Sequence, residues 1–261
     1  MTRMLTAVGA SLGVLLAAGA AHAQPHDTFG QQGQFIIGAD RLFSLFSYTH
    51  IAQDQFNPGP GNSKQTTTVN GTALSLLWGS SPVIANGGVP IISPFAVPRI
   101  GVDYVIVPHV TIGGDLIVFF TLGGNTATDT TTNGGTTSST STDNPGQFLF
   151  GIEPRGGYIL PLTDMFSLWL RGGLSYYIQS SKTTAGGSTT TNTTNQLALD
   201  LEPQVVFTPI PHVGFTAGLT GDIPLTGGHS TDVNTNGRDT SQSAWSGILF
   251  VGVTLGMLAH F

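Results

Sequence analysis

Apolar and polar residues alternate along most of this chain after residue 33. In 165–177 one face carries Phe166, Leu168, Leu170, Gly172, Leu174 and Tyr176, and the other carries Ser167, Arg171, Gly173 and Ser175. The run 196–208 repeats the pattern, with Leu, Val and Phe at odd positions and Gln, Asp and Glu at most even ones. Because side chains alternate across a β-strand, the pattern predicts strands with one apolar and one polar face.

Nine segments are predicted to be strands. They are 34–50, 66–79, 94–107, 109–121, 147–160, 165–180, 196–208, 212–223 and 243–261. If these strands close into a single-chain bacterial membrane barrel, their number has to be even. Either one candidate lies outside the wall, or a short tenth strand lies in 80–93, which has the pattern of a hairpin around Asn86-Gly87. Eight and ten strands both stay open, and we favour ten because the extra hairpin restores the alternation of short and long connections.

The connections between these strands are of two kinds. Short ones contain proline, and long ones rich in Thr, Ser, Asn and Gly cover 51–70, 122–146, 181–195 and 224–243. The long segments have too little apolar content to pack, so we expect mobile, exposed loops.

Three prolines fall inside or beside predicted strands. They are Pro98, Pro154 and Pro203. A proline has no N–H to donate to a strand ladder, so bulges are expected near each of them.

The last fifteen residues, Gly247–Phe261, are the clearest two-faced strand. Alternate residues from Leu249 to Phe261 are all apolar, whereas the face from Ile248 to His260 is smaller and mixed. A last strand of this kind, ending on an aromatic residue, resembles the closing strand of Gram-negative outer-membrane β-barrels. In that family the terminal aromatic is read by the barrel-assembly machinery, so the resemblance implies that Phe261 is an assembly signal.

The first 23 residues have the pattern of a secretory signal peptide. Arg3 precedes an apolar stretch, Leu5–Ala20, and an A-x-A cleavage pattern ends at Ala23. We therefore expect export with removal of 1–23. A polar periplasmic lead would then cover 24–33, and a barrel would cover 34–261.

Composition narrows the fold class. Charged residues make up 8% of the chain, against about 25% in ordinary soluble domains, and cysteine is absent. The chain has 14 acidic and 8 basic residues, which argues against nucleic acid as a partner. No run of 18 or more apolar residues follows the signal sequence, so no transmembrane helix is expected. We predict an all-β fold: a closed, antiparallel, up-and-down transmembrane β-barrel of 8 to 10 strands in the outer membrane.

Several charged residues inside the predicted strands share the polar faces. They are Arg99, Asp103, Asp115, Glu153, Arg155, Arg171, Asp200 and Glu202. A basic residue facing lipid at the midplane costs about 2–4 kcal/mol, so these side chains are expected to point inward and pair as a lumen charge network. One interpretation is a selectivity ring or ligand site in a pore that favours cations. We favour a structural salt-bridge network, because side chains just fill a barrel of eight strands.

Other candidate chemistry is weak. His109 and His212 occupy matching Pro-His-Val turns, but no histidine spacing fits a metal motif. No Gly-x-Ser-x-Gly elbow or phosphate-binding glycine loop is present. We therefore predict no catalytic, cofactor-binding or metal site, and a chain that is not an enzyme.

The leading functional prediction is an integral outer-membrane protein with a structural or surface-display role. Its expected partners are outer-membrane lipids and, during insertion, the barrel-assembly machinery, with the chain itself a monomer. The alternatives are a narrow porin for small polar solutes or cations, an outer-membrane lipid-modifying enzyme, and a soluble secreted all-β protein.

Overall fold

The computed structural model describes most of the predicted barrel and part of the lead. The described residues are 28–57, 63–74, 83–84, 90–91, 97–121, 124–131, 137–144, 146–185, 188–235 and 237–261. The expected signal peptide and residues 24–27 of the lead lie outside these ranges. Within them, no helix is long and apolar enough to cross a membrane.

The described ranges contain thirteen strands. They are β1 (Phe35–Asn57), β2 (Ser63–Leu74), β3 (Val83–Ile84), β4 (Pro90–Ile91), β5 (Arg99–Val107), β6 (Val110–Thr121), β7 (Gly124–Thr131), β8 (Thr137–Asn144), β9 (Gly146–Pro161), β10 (Phe166–Ala185), β11 (Ser188–Ile210), β12 (Val213–Thr235) and β13 (Arg238–His260).

Eight of these strands close into a ring. Their order is β1, β5, β6, β9, β10, β11, β12, β13, and β13 pairs back with β1. All the pairings are antiparallel, and the closing ladder runs from Ile36 opposite His260 to Gln53 opposite Ser246. The structure therefore confirms the closed all-β architecture, with eight strands in the wall.

The preference for ten strands was wrong. A hairpin does form within 80–93, with Val83 opposite Ile91, but β3 and β4 pair apart from the ring and have two residues each. A strand that crosses a membrane needs about 9–11 residues, so these two are too short. The candidate 66–79 overlaps β2, which pairs with the upper part of β1, from Phe46 to Asn57.

The two ends of the barrel have different connections. At the end that we call lower, short turns join β5 to β6, β9 to β10 and β11 to β12. His109 and His212 occupy two of these turns in the left-handed backbone region, with φ of 71° and 67°. Phe35 lies opposite Tyr104, close to the β5–β6 turn, and the backbone of His260 is bonded to His212 in the β11–β12 turn. Both described ends of the barrel wall therefore lie at the lower end.

The described parts of the Thr-rich segments at the upper end are paired strands, whereas loops were expected from composition. β10 and β11 pair up to Ala185 opposite Ser188, and β12 and β13 up to Thr235 opposite Arg238. Threonine is β-branched and suits an extended backbone, and ladders already aligned by the barrel wall can simply continue upward. Low apolar content therefore did not prevent strand formation here.

The prediction of bulges at the prolines was also wrong. Gly114 lies opposite Pro154 and Leu170 opposite Pro203, and these ladders keep their register past both prolines. The ladder with the other neighbouring strand, β10 for Pro154 and β12 for Pro203, has a gap of two pairs at the proline. Beyond the gap, each ladder resumes in the same register. A proline removes one donor without adding a residue, so register survives. Pro98 lies before β5.

Two apolar clusters fill the inside of the ring at different heights. The upper cluster contains Ile51, Val97, Ile117, Leu149, Tyr177, Ala198, Ile248 and Phe250. The lower cluster contains Phe29, Ile36, Val105, Ile159, Trp169, Val206 and Leu258. Along β9, the inward residues Glu153 and Arg155 lie between Leu149 of the upper cluster and Ile159 of the lower one.

The described part of the N-terminal lead folds into the lower mouth. Phe29 is buried, with its ring edge-on to Trp169 at 5.6 Å and to His260 at 5.4 Å between centroids. The amide nitrogens of Gly30 and Gln31 donate to the side-chain oxygen of Gln34. The lead, expected to be polar and outside the wall, thus contributes a side chain to the interior.

Candidate functional site

Charged side chains form one continuous cluster between the two apolar clusters. We call it the charge network; it consists of Arg41, Arg99, Arg155 and Arg171 with Asp40, Asp103, Asp115, Glu153, Asp200, Glu202 and Asp222, each no more than 5% exposed. All eight charged residues singled out in the sequence lie in it. Seven strands of the ring supply its members, and β13 supplies none.

Arg155 on β9 holds three carboxylates from three other strands. Its Nη1 lies 3.0 Å from Asp40 and 2.6 Å from Asp115, and its Nη2 lies 2.5 Å from Asp103. Gly101 leaves the space for this arrangement, because a Cβ there would overlap the Asp115 carboxylate. Glycine in these strands therefore makes room for large charged neighbours.

Arg171 on β10 links this group to the rest of the network. It donates to Asp40 from Nη1 at 3.0 Å, and its Nη2 lies 2.7 Å from Glu202. Its guanidinium also lies over the ring of Trp169, 4.5 Å from the centroid. A cation over an indole face is attracted by the ring quadrupole, so Trp169 joins the network to the lower cluster.

Arg41 on β1 occupies the other side of the network. It donates to Glu202 and Asp222 at 2.8 Å each, and it also pairs with Asp200. One guanidinium thus serves acids on both β11 and β12, which the planar five-donor geometry of arginine allows.

Arg99 on β5 completes the network. It pairs with Glu153 through Nη1. The same guanidinium lies 3.9 Å from Asp200 and 3.7 Å from Asp222.

Three members were missing from the sequence-based set: Asp40, Arg41 and Asp222. Strict alternation would send either Asp40 or Arg41 outward, yet both are buried. Arg41 has a φ of 54°, and the β1–β13 register shifts between Ala39 and Phe43, so a bulge turns both side chains inward. In the sequence, the signal of this bulge was the adjacent pair of charged residues, Asp40 and Arg41, inside an otherwise largely apolar strand. Asp222 ends the polar face of the predicted strand 212–223, so alternation alone would have found it.

Three of the acids lie as close together as metal ligands do. Ligand oxygens of Glu153, Asp200 and Glu202 all lie within 4.8 Å of one another. Glu153 is paired with Arg99, and Asp200 is paired with Arg41. Glu202 is paired with both Arg41 and Arg171. Guanidinium groups thus occupy the positions around these carboxylates, and we interpret the group as part of an ion-pair cluster.

The histidines at the lower end do not converge on a metal-like site in the described ranges. His212 and His260 have ring centroids 5.7 Å apart, and Nδ1 of His212 lies 2.8 Å from the backbone oxygen of His260. His109 is held in a different turn, where its backbone amide donates to the backbone oxygen of Gly30. The hydrogen bonds of these histidines hold two lower turns, the end of β13 and the N-terminal lead in place.

Phe261 lies at the lower end of the closing seam. Its backbone exchanges two hydrogen bonds with Phe35, at 2.9 and 3.0 Å, and its ring stacks near His212 with 6.1 Å between centroids. The residue thus pairs the end of the chain with the start of β1.

The outer surface of the ring carries an apolar belt. Its exposed members include Phe35, Ile100, Tyr104, Ile112, Leu116, Phe120, Phe150, Ile152, Leu170, Leu174, Leu201, Phe215, Leu219, Leu225, Trp245 and Val251. The upper parts of β10–β11 and β12–β13, above the belt, are called the upper hairpins. Among the side chains that the structure describes, the exposed charged ones are Asp164 in a lower turn and Lys182, Asp232 and Arg238 in the upper hairpins. Charge is therefore found inside the barrel and at its two ends.

Comparisons with known proteins return similarities of fold only. No protein-family model matches the chain, and no curated protein matches it in sequence. Among solved structures, the outer membrane protein OprG of Pseudomonas aeruginosa is 10% identical, with 89% of this chain and 99% of that chain covered and a TM-score of 0.47.

Two other outer-membrane proteins are similar at the same level. A major outer membrane protein of Thermus thermophilus is 15% identical, with 83% and 99% of the two chains covered and a TM-score of 0.39. The outer membrane protease OmpT of Escherichia coli is 10% identical, with 91% and 99% covered and a TM-score of 0.32. These proteins have different roles, so the likeness does not distinguish between functions, and the assignment of the barrel fold rests on the strand pairing described above.

Proposed function

We propose that this chain is an integral outer-membrane β-barrel with a structural or surface-display role and no open pore. The apolar belt is the observation that carries the proposal. A water-soluble barrel would leave this band of large apolar side chains in contact with water, whereas a lipid bilayer covers it. The described exposed charges lie beyond the belt, where headgroups and water solvate them.

The filled interior supports a structural role over a narrow porin. The charge network spans the inside of the ring, and an apolar cluster lies above it and another below it. An ion that followed the barrel axis would have to displace packed side chains at three successive levels.

The upper hairpins are the part of the protein that we propose is displayed outside the cell. They are rich in Thr, Ser and Asn, and they lie at the end opposite the short turns. Outer-membrane barrels have short periplasmic turns and longer extracellular connections, which orients this chain in the same way. Outer-membrane lipids are then the partners of the belt, the assembly machinery is the partner during insertion, and the barrel acts as a monomer without a catalytic role.

One pair of variants tests the membrane placement. Leu219 is 56% exposed in the belt, and Leu219→Arg should weaken insertion into lipid vesicles by about 2–4 kcal/mol because a charge would face hydrocarbon. Asp232→Arg, in an upper hairpin, is the matched control and should insert like the parent chain. Equal insertion of both variants would contradict the placement of Leu219 in the bilayer, and failure of the parent chain to insert would favour the soluble secreted alternative.

Planar-bilayer conductance tests the absence of a pore. The mature chain, refolded and shown to be inserted by its heat-modifiable migration on a gel, should give no steady single-channel steps. Reproducible steps from this preparation would overturn the sealed-barrel proposal and establish the narrow porin instead.

A further inference from the structure

The charge network contains more acids than arginines. Seven carboxyl groups face four guanidinium groups in a space closed above and below by apolar side chains. Burying an uncompensated negative charge is costly, so the excess has to be neutralised by something other than arginine.

The strand register places four of the acids in two direct pairs. Asp200 on β11 lies opposite Asp222 on β12, and Asp115 on β6 lies opposite Glu153 on β9. Residues directly opposite in an antiparallel ladder have Cβ atoms about 4.5–5.5 Å apart, and two like charges in such positions repel. Both pairs are buried.

Each member of these pairs has a carboxylate oxygen without a hydrogen-bond donor among the described residues. The oxygens are Oδ1 of Asp200, Oδ1 of Asp222, Oδ1 of Asp115 and Oε1 of Glu153. The members of each pair already contact an arginine through another oxygen. These oxygens accept no hydrogen bond among the described residues, and the nearest free guanidinium nitrogen, Nη2 of Arg99, lies 3.7 Å from Oδ1 of Asp222, beyond hydrogen-bond distance.

The groups that face Asp200 and Asp222 come from three other strands. Arg41 and Arg99 approach both acids from β1 and β5, and Glu153 and Glu202 lie beside Asp200. Tyr177 on β10 belongs to the upper cluster, where its hydroxyl donates to Gln196.

The groups that face Asp115 and Glu153 include both signs of charge. Arg155 contacts Asp115, and Arg99 contacts Glu153. Asp40 and Asp103 share Arg155 with Asp115. The arginines here are already divided among several acids, so neither pair has a guanidinium to itself.

We propose that each of the two carboxyl pairs, Asp200 with Asp222 and Asp115 with Glu153, binds one proton in the folded barrel at neutral pH. One member then donates its O–H to the free oxygen of the other, as in carboxyl dyads where two acids share a site. Two bound protons satisfy the four oxygens named above and leave one acid in excess over the arginines. The proton is thus the ligand of two sites that the arginines do not fill.

The folded barrel then holds protons that the unfolded chain releases. Ordinary carboxyl groups are ionised above about pH 5, so unfolding in the neutral range releases two protons. Each proton contributes a factor of ten per pH unit to the unfolding equilibrium constant, so the constant should rise about 100-fold per pH unit as pH increases above about 5. Stability therefore falls with rising pH until the folded barrel releases the protons.

The measurement is denaturant unfolding of the mature chain in detergent micelles between about pH 5 and 8. In the variant Asp115→Asn with Asp222→Asn, amide groups supply the missing donors permanently, so its unfolding constant should lose this 100-fold dependence. Asp164→Asn with Asp232→Asn changes two exposed acids and should unfold with the pH dependence of the parent chain. The histidines are the same in all three chains, so their titration cancels in the comparison. Equal pH dependence in the parent and the interior variant would overturn the proposal.

Infrared spectroscopy of the parent chain gives a second test that does not depend on a variant folding. At pH 7 the folded barrel should show a carboxylic-acid C=O band that shifts in deuterated buffer and disappears on unfolding. Absence of the band would overturn the proposal. A metal ion at stoichiometric amount in the folded protein, with stability lost on chelation, would also overturn it, because a cation would then neutralise the excess.

Discussion

Asp40 and Arg41 are adjacent in the chain, and both side chains point into the barrel, where they bind different parts of the charge network. Asp40 contacts Arg155 and Arg171, whereas Arg41 contacts acids on β11 and β12. A regular strand would send one of the two outward. The bulge at this point of β1 therefore lets one strand supply both signs of charge to the interior.

Replacing Arg41 should be severely destabilising. Arg41→Gln would leave three buried acids without their shared partner, and breaking a buried ion pair of this kind costs about 3–5 kcal/mol. The free energy of unfolding in detergent micelles would measure the loss. Arg238→Gln, in an exposed position of an upper hairpin, is the matched control and should change stability by less than about 0.5 kcal/mol. Comparable losses in the two variants would contradict the assigned role of Arg41.

Gln196 should be required for the upper part of the wall. The β12–β13 ladder is interrupted between Asp222 and Gly228, and the Gln196 amide bonds both backbone groups of Ile248, at 2.7 and 2.9 Å. Gln196→Leu leaves those two buried groups unpaired, so stability should fall by about 2 kcal/mol or more in denaturant unfolding. Gln242→Leu, at an exposed position, should leave stability nearly unchanged.

Phe29 should control access to Trp169 from the lower mouth. Phe29→Ala removes the ring packed edge-on against Trp169, so a water-soluble quencher should reach the indole more easily. The measurement is fluorescence quenching in a chain whose other two tryptophans are replaced by Phe. The same substitution should cost about 3–5 kcal/mol of stability. Unchanged quenching would show that other residues seal this end.

Phe261 is predicted to act as an assembly signal and not only as a seam residue. Phe261→Ala keeps the backbone hydrogen bonds to Phe35 but removes the ring. The variant should refold into micelles much like the parent chain, yet it should be depleted from the outer membrane of cells. Normal insertion in cells would refute the signal role, and poor refolding in micelles would assign the defect to packing.

His229 gives the upper hairpins a weak pH dependence. It lies above the belt residue Leu225, and partial burial lowers the pKa of its imidazole below the ordinary value of about 6.5. The folded hairpin thus favours the neutral ring, which lies 3.0 Å from the hydroxyl of Thr194. Its contribution is complete above the ordinary pKa and is lost as pH falls through that value towards the folded one. Amide exchange of β12 should show this loss as pH falls below about 6.5 in the parent chain and not in His229→Gln.

Alternation predicted the wall of this barrel well, because in a closed barrel residues that face inward alternate with residues that face outward along every strand. Eight of the nine candidate segments overlap the ring, and residues such as Glu153 and Asp200 face inward as their neighbours required. The same rule failed at Arg41, where a bulge changes the period locally. Composition was misleading at the Thr-rich ends, since pairing there depends on alignment by the wall below and not on local apolar content.

The wide spacing of the charge network along the chain has a consequence for folding. Arg41 and Asp222 are separated by 181 residues, and Arg171 and Asp40 by 131, so these pairs form only after distant strands have come together. Loop closure precedes such contacts, which makes them late events. Until β12 and β13 complete the circle, Arg41 on β1 cannot reach Asp200 and Asp222, so these charged side chains stay in contact with water. Closure of the ring and burial of these charges are therefore coupled steps in folding.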